Sequence, residues 1–146
     1  MNIRLAQTTD FTQWLPLWKK YQVFYKTEIP DAVTGQTWAR FISNEEPMHC
    51  AVAEIDGTLV GFVHYIDHRS CWTQGDYVYL QDLFTESTVR GKGIGRALIE
   101  HVYAYAAREK AARVWWLTHD TNHQAMGLYD RLADKSGFIQ YRKNIA

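Results

Sequence analysis

Hydrophobic positions near the start of the chain recur at helical spacing and predict two helices after a short strand. Alternation in Ile3-Arg4-Leu5 indicates the strand. The polar run Thr8-Thr9-Asp10 supplies N-cap chemistry for a helix that we expect to continue to about Tyr25. Its apolar side chains share one face: Trp14, Leu17, Trp18 and Tyr21. A second short helix is expected over residues 34–43.

Apolar runs in the middle of the chain predict a meander of three strands. Residues 50–55 form the first run, and Asp56-Gly57 after it is a strong hairpin-turn signal. Residues 59–66 then return as the partner strand. A polar loop over residues 68–75 precedes the third run, residues 77–84.

The remainder of the chain alternates between helix and strand patterns. A glycine-rich segment opens a helix from about residue 93 to 109, and residues 113–118 form a continuous apolar run typical of a buried strand. Asn122 is expected to cap a last helix through about Lys135, and a final strand over residues 138–142 follows Gly137. The predicted order is β-α-α-β-β-β-α-β-α-β. It describes an α/β fold with a mixed central sheet of about six strands, four helices and a right-handed βαβ crossover at the glycine segment.

Length and composition fit a single domain over residues 1–146. No apolar stretch approaches the ~20 residues of a membrane span, and the N-terminus lacks a signal-peptide hydrophobic region. Sixteen Lys and Arg balance sixteen Asp and Glu, so net charge indicates neither nucleic acid nor a membrane as a partner. We expect a soluble, cytoplasmic protein.

The Cys and His residues do not predict a metal site. Cys50 and Cys71 lack CxxC spacing, and His119 and His123 are separated by Asp120-Thr121-Asn122, which is typical of a loop and cap. The chain has no GxSxG elbow, which argues against a covalent serine nucleophile.

The segment from Arg90 to Arg96, RGKGIGR, carries the strongest chemical signal. The segment lies between a predicted strand and a predicted helix. Its backbone amides and the helix dipole therefore favour binding of an anion, phosphate above all. A dinucleotide fingerprint would need glycine where Arg96 stands, and a Walker motif would need Gly-Lys where Arg96-Ala97 stand. The pattern Arg/Gln-x-x-Gly-x-Gly/Ala is satisfied by Arg90, Gly93 and Gly95. A glycine-rich turn with surface cations is the alternative.

Two longer blocks, YLQDLFTESTVRGKGIGRALIEHV and WWLTHDTNHQAMGLYDRLADKSGFIQY, resemble motifs of the GNAT superfamily of N-acetyltransferases. The nearest likeness is to polyamine (diamine) acetyltransferases and to small microbial relatives that act on histones, amines or amino acids. The resemblance covers most of the chain. It implies the GNAT fold, with acetyl-CoA as co-substrate, its pyrophosphate on the glycine loop, and no metal.

The resemblance also implies roles for individual residues. A strand end splayed from its neighbour, the loop and the last helix would hold acetyl-CoA: Leu83, Phe84, Thr85, Arg90, Gly91, Lys92, Gly93, Ile94, Gly95, Arg96, Asn122 and Ala125. Tyr129 would protonate the departing thiolate of coenzyme A. A core tyrosine that packs the last helix on the sheet is the alternative for Tyr129.

The general base is left open by the sequence. Polyamine acetyltransferases carry a Glu-Asp pair on the strand before the loop, and here the pair is Gln81-Asp82. An amide cannot accept a proton, so Gln81 could only orient a water. Asp82, His64 or Glu54 could act through water, or the amine could arrive neutral.

The acceptor pocket is expected to come from the first helices and loop 68–75, where aromatic and acidic residues are mixed. Those residues are Tyr21, Phe24, Tyr25, Glu28, Asp31, Trp38, Trp72 and Asp76. Their mixture suits a cationic amine, although plain core packing is the alternative.

We therefore expect acetyl transfer from acetyl-CoA to a small-molecule primary amine, such as a polyamine or an amino acid, by direct attack in a ternary complex. A protein lysine or N-terminus is the rival acceptor, and a non-catalytic acyl-CoA-binding module is the rival class. Because many relatives pair through their C-terminal strands, the resemblance also implies a homodimer.

Overall fold

The computed structural model describes residues 1–146 as a twisted sheet with helices on both faces. The strands are β1 Asn2–Leu5, β2 Met48–Ile55, β3 Thr58–His68, β4 Tyr77–Thr85 and β5 Arg113–Trp115. The helices are α1 Phe11–Phe24, α2 Asp31–Ile42, α3 Ile94–Arg108 and α4 His123–Leu132. None of the helices is both long and apolar enough to cross a membrane.

The strands lie in chain order, β1 to β5. Pairing is antiparallel as far as β4 and parallel between β4 and β5, which α3 connects. The β2–β3 turn has Asp56 and Gly57 at φ 49° and 79°, the left-handed pair that a tight two-residue hairpin requires. The predicted α/β fold with a βαβ crossover is confirmed.

Two separate cores cover the two faces of the sheet. On one face, α3 buries Leu98, Ile99 and Val102 against the middle strands. On the other, α1 and α2 bury indole rings, with the Trp14 and Trp38 ring centroids 4.7 Å apart. Trp38, which the sequence assigned to the acceptor pocket, is 8% exposed and belongs to this second core. That expectation was wrong because helical spacing turns its ring toward the sheet.

The predicted sixth strand over residues 138–142 does not form, so the sheet has five strands. A strand needs a neighbour for its backbone groups, and the edge strand β5 has only three paired residues. The segment 134–146 instead runs without regular structure. The apolar run at residues 113–118 is likewise a shorter strand than expected, because β5 and β4 separate beyond Trp115.

Candidate active site

A cleft of about 520 Å³ opens where β4 ends, between the glycine loop and α4. Three groups of residues form its walls. The β4 end and glycine loop contribute Leu83, Phe84, Thr85, Val89, Arg90, Gly91, Gly93, Ile94, Gly95 and Arg96. Helix α4 and the residue before it contribute Asn122, Gln124, Ala125, Leu128, Tyr129 and Arg131, and α1 with its C-terminal end contributes Tyr21, Phe24 and Tyr25.

The glycine loop exposes backbone amides at the start of α3. Gly91 and Gly93 have φ of 82° and 77°, a conformation that other residues adopt at a cost. The first hydrogen bond of α3 runs from Ala97 N to Gly93 O at 3.0 Å, so the preceding amides of residues 94–96 have no partner within the helix. A Cβ added at Gly91 or Gly93 would meet no atom within 4 Å. These amides and the helix dipole form an anion site open to the cleft.

The end of β4 offers a second set of free backbone groups. Antiparallel pairing with β3 continues to Thr85, whereas parallel pairing with β5 stops at Tyr79. One edge of residues 80–85 is therefore unpaired where it borders the cleft. An extended ligand can hydrogen-bond to such an edge as an added strand would.

Tyr129 lines the cleft from α4, with its ring centroid 5.4 Å from that of Trp116. Burial raises the pKa of Tyr129 above its ordinary value, and the nearby Tyr25 contributes a smaller increase. The phenol therefore keeps its proton at neutral pH. That protonation state is the one a general acid needs.

The sequence-predicted ligand residues are brought together in this cleft, with one exception. Lys92 is exposed between the two left-handed glycines and does not line the cleft. Asn122 begins α4, but its side chain donates to Thr118 Oγ1 at 3.2 Å instead of capping the helix. The roles assigned to these residues stay predictions.

Sequence reasoning did not select several residues that line the cleft, among them Leu128 and Arg131. Leu128 follows Ala125 by three positions and approaches Gly95, where an added Cβ would lie 3.5 Å from Leu128 Cδ2. The i, i+3, i+4 spacing of Ala125, Leu128 and Tyr129 is the signal that could have identified this face. Arg131 adds a cation opposite the glycine loop.

Besides Trp38, which lies in the α1–α2 core, the aromatic residues predicted for the acceptor pocket divide into two groups. Tyr21, Phe24 and Tyr25 line the cleft. Trp72 is 84% exposed in loop 68–75, and this loop joins β3 to the start of β4. The cleft lies at the other end of β4, eight residues or roughly 26 Å away along the strand. The loop therefore does not contribute to this cleft.

A carboxylate lies beside the cleft, in contact with one tyrosine and one histidine. Tyr21 Oη donates to Asp82 Oδ1 at 2.8 Å, and His64 Nδ1 lies 2.9 Å from Asp82 Oδ2. Strand β4 contains a bulge here: His64 pairs with Asp82 and Tyr65 with Leu80, which leaves Gln81 as the extra residue. Gln81 is exposed, and no Lys or Arg pairs with Asp82.

The other two candidates for the base, Glu54 and His64, are engaged by other side chains. Glu54 pairs with Arg4 at 3.0 Å, beside β1 and outside the cleft. His64 is 2% exposed, and its second ring nitrogen accepts a hydrogen bond from Trp14 Nε1 at 3.1 Å. Of the four residues that the sequence left open, Asp82 alone combines a carboxylate with a neighbour that lines the cleft. No group of three or more His, Cys, Asp or Glu is arranged to hold a metal ion.

Comparison with known proteins gives consistent matches. Residues 11–133 match the family described as the Acetyltransferase (GNAT) family. The chain is 37% identical over 144 residues to the D-amino-acid N-acetyltransferase HPA3 of Saccharomyces cerevisiae, covering 97% of this chain and 89% of that one. It is 33% identical over 155 residues to the thialysine N-epsilon-acetyltransferase of Mus musculus, covering 97% and 91%.

Solved structures share the fold at lower identity. An aminoglycoside N-acetyltransferase in complex with CoA superposes with a TM-score of 0.84 at 16% identity, covering 99% of this chain and 95% of that one. A probable acetyltransferase superposes with a TM-score of 0.86 at 20% identity, covering 100% and 99%.

Proposed function

This chain belongs to the acetyltransferase (GNAT) family and is an acetyl-CoA-dependent N-acetyltransferase, and we propose that its acceptor is a small cationic primary amine, such as a polyamine or an amino acid. The observation that carries this proposal is the Asp82 carboxylate beside the cleft, which Tyr21 and His64 contact and with which no Lys or Arg pairs. A carboxylate without a Lys or Arg partner is complementary to an ammonium group. The two curated relatives, named for a D-amino acid and for thialysine, support a small acceptor.

Acetyl-CoA, in this proposal, binds along the cleft between α3 and α4. The free amides at the start of α3 and Arg90 would hold its pyrophosphate. The unpaired edge at Leu83–Thr85 would bind the pantetheine arm, and one of its amides would polarise the thioester carbonyl. Ala125 would leave room for the arm beside α4.

Asp82 is proposed as the proton acceptor for the incoming ammonium. At neutral pH about one lysine-like amine in a thousand is uncharged, so a nearby base increases the reactive fraction. The ammonium gives one proton to the Asp82 carboxylate, and the neutral nitrogen attacks the acetyl carbon. A nitrogen–carbon bond forms, and the thioester becomes a tetrahedral intermediate.

Tyr129 is proposed as the acid of the second step. The carbon–sulfur bond breaks as the intermediate collapses, and the departing thiolate takes the phenol proton of Tyr129. The amide nitrogen then loses its extra proton, which returns Tyr129 to the phenol form. The products are an N-acetylated amine, the free thiol of coenzyme A and the one proton held by Asp82.

The test is a thiol-release assay with acetyl-CoA and a matched set of acceptors. The set contains a polyamine, D- and L-amino acids, thialysine and a lysine-containing peptide. We expect turnover with at least one small amine at a kcat/KM at least tenfold above that of the peptide. Preference for the peptide would indicate a protein acetyltransferase and contradict the proposal. Binding of acetyl-CoA without turnover of any amine would also overturn the acceptor proposal.

We also propose that the chain forms a homodimer through its C-terminal segment, residues 134–146. This segment has no strand partner, yet Phe138, Ile139, Tyr141 and Ile145 are 77–91% exposed. Strand β5 meanwhile leaves one edge of the sheet unpaired. Exposed apolar side chains and an open edge favour association with a second copy.

Light scattering during size-exclusion chromatography tests the dimer. We expect a dimer mass for the wild-type chain at micromolar concentrations and a monomer for a Phe138→Lys, Tyr141→Lys double variant. A control, Lys143→Ser, should remain dimeric. A wild-type monomer at tens of micromolar would refute the proposal.

A further inference from the structure

A buried chain of hydrogen bonds joins the α1–α2 core to the carboxylate beside the cleft. Trp14 Nε1 is 3.1 Å from His64 Nε2, His64 Nδ1 is 2.9 Å from Asp82 Oδ2, and Tyr21 Oη is 2.8 Å from Asp82 Oδ1. Trp14 is fully buried and His64 is 2% exposed. These contacts link residues from α1, β3 and β4.

The chemistry of the indole determines the direction of the chain. An indole N–H can only donate, so His64 Nε2 must be the unprotonated, accepting nitrogen. The ring proton of neutral His64 is therefore on Nδ1, which donates to Asp82. A second proton on His64 would have to sit on Nε2 and point at the Trp14 N–H. Trp14 thus opposes a second proton on His64 and keeps Nδ1 as the one ring donor.

Asp82 consequently receives one neutral donor on each oxygen. Burial, and then Asp82 itself, raises the pKa of Tyr21 far above its ordinary value, so Tyr21 remains a donor. The Asp82 side chain is 14% exposed, and neither of its two partners is a Lys or Arg. Two donors without a counterion fix the orientation of the carboxylate and leave its charge available to a cation.

Aromatic rings surround His64 on the face of the sheet that α1 and α2 cover. Its ring stacks on Phe62 with centroids 4.4 Å apart, and Phe41 lies at 4.5 Å. These rings help to bury the His64 side chain away from water. The arrangement supports orientation of Asp82 by a fixed donor, which pure core packing would not require.

We propose that Trp14 and His64 are positioning residues that fix the Asp82 carboxylate as the binding point for the ammonium group of the acceptor. This inference rests on the proposed function, because it assigns the acceptor end of that site. Trp14 acts only through His64, and His64 acts only through Asp82. Neither side chain needs to touch the substrate.

Matched substitutions at His64 separate positioning from packing. His64→Asn places an amide N–H near the position of Nδ1 and keeps a donor for Asp82, whereas His64→Gln reaches toward Trp14 and loses that donor. We expect KM for the amine to rise tenfold or more in His64→Gln, to stay within about threefold in His64→Asn, and KM for acetyl-CoA to remain unchanged in both. Equal effects of the two variants, or no change in the amine KM, would overturn the proposal.

The tautomer can be measured without turnover. Long-range ¹H–¹⁵N correlation spectra of the wild-type chain should show His64 with its proton on Nδ1 alone, and Trp14→Phe should allow a second proton on Nε2 while the Nδ1–H bond to Asp82 remains. Trp18→Phe is the control, because it removes an indole N–H from the same core, where it donates to Thr34 Oγ1 at 3.3 Å. A wild-type Nε2–H tautomer would refute the proposal.

These two measurements also distinguish the inference from the function on which it rests. If no small amine is acetylated by the wild-type chain, the proposed acceptor fails, while the spectra still decide whether Trp14 fixes His64. If amines are acetylated but His64→Gln has a normal amine KM, only the positioning role fails.

Discussion

Removal of the Tyr129 hydroxyl tests the acid of the reaction with little disturbance of the fold. Tyr129→Phe keeps the ring that packs on Trp116, with centroids 5.4 Å apart. The hydroxyl lines the cleft, and the causes of its raised pKa are burial and Tyr25, without a hydrogen bond. We therefore expect stability to change by no more than ~0.5 kcal/mol, as for substitutions that break no buried contact.

The expected loss of rate follows from the chemistry. General acid catalysis contributes typically ~10²–10⁴-fold, or about 2.7–5.4 kcal/mol of transition-state stabilisation. Tyr129→Phe should reduce kcat by that factor and leave acetyl-CoA affinity nearly unchanged, because the lost interaction belongs to the transition state. Steady-state kinetics, calorimetry and a melting curve on one preparation provide the three numbers.

Tyr103→Phe is the matched control for this experiment. The Tyr103 hydroxyl donates to Leu132 O at 2.8 Å and does not line the cleft. Its removal should cost ~0.5–1.5 kcal/mol of stability, a decrease in Tm of a few degrees, with normal kcat. Full activity in Tyr129→Phe, or a melting temperature that falls while kcat stays normal, would show that Tyr129 is a packing residue.

Four further predictions address the remaining parts of the site and the fold. Gly95→Glu should abolish acetyl-CoA binding in calorimetry because its carboxylate repels the pyrophosphate. Gly95→Ala should fold and bind, because its Cβ would make only ordinary contacts. If the two variants bound acetyl-CoA with equal affinity, the loop would not be part of the site. Asp82→Asn should reduce kcat/KM for the amine by ~10²-fold or more at pH 7, with recovery toward alkaline pH where more amine is neutral; a flat pH–rate profile would contradict this. Arg131→Ala should weaken acetyl-CoA binding about two- to fivefold at low salt and less at high salt, as expected of an exposed ion pair. Burial raises the pKa of Tyr65 and Tyr105, so the unfolded chain releases these protons first, and Tm should fall as pH rises above about 10; a constant Tm there would oppose it.

Local signals in the sequence were sufficient for most of the scaffold and for the loop that lines the cleft. Asp56-Gly57 predicted a hairpin turn because few residues adopt two successive positive φ angles. The spacing of Arg90, Gly93 and Gly95 predicted an anion loop, because free amides and a glycine backbone are properties of the loop itself. Residues near one another in the chain carry both features, so no tertiary contact was needed to find them.

Tertiary structure alone decided which groups lie around Asp82 and how the sheet ends at its edges. Asp82 differs from Glu54, the other carboxylate candidate, through its partners His64 and Tyr21, which are 18 and 61 positions away in sequence. The aromatic character of Trp38 could not tell a pocket from a core, because both require the same side chain. The run at residues 138–142 has the composition of a strand, but a strand exists only where a neighbour accepts its hydrogen bonds, and folding of this chain provides none. Composition determines what a segment can become, and the groups that packing places beside it determine what it does.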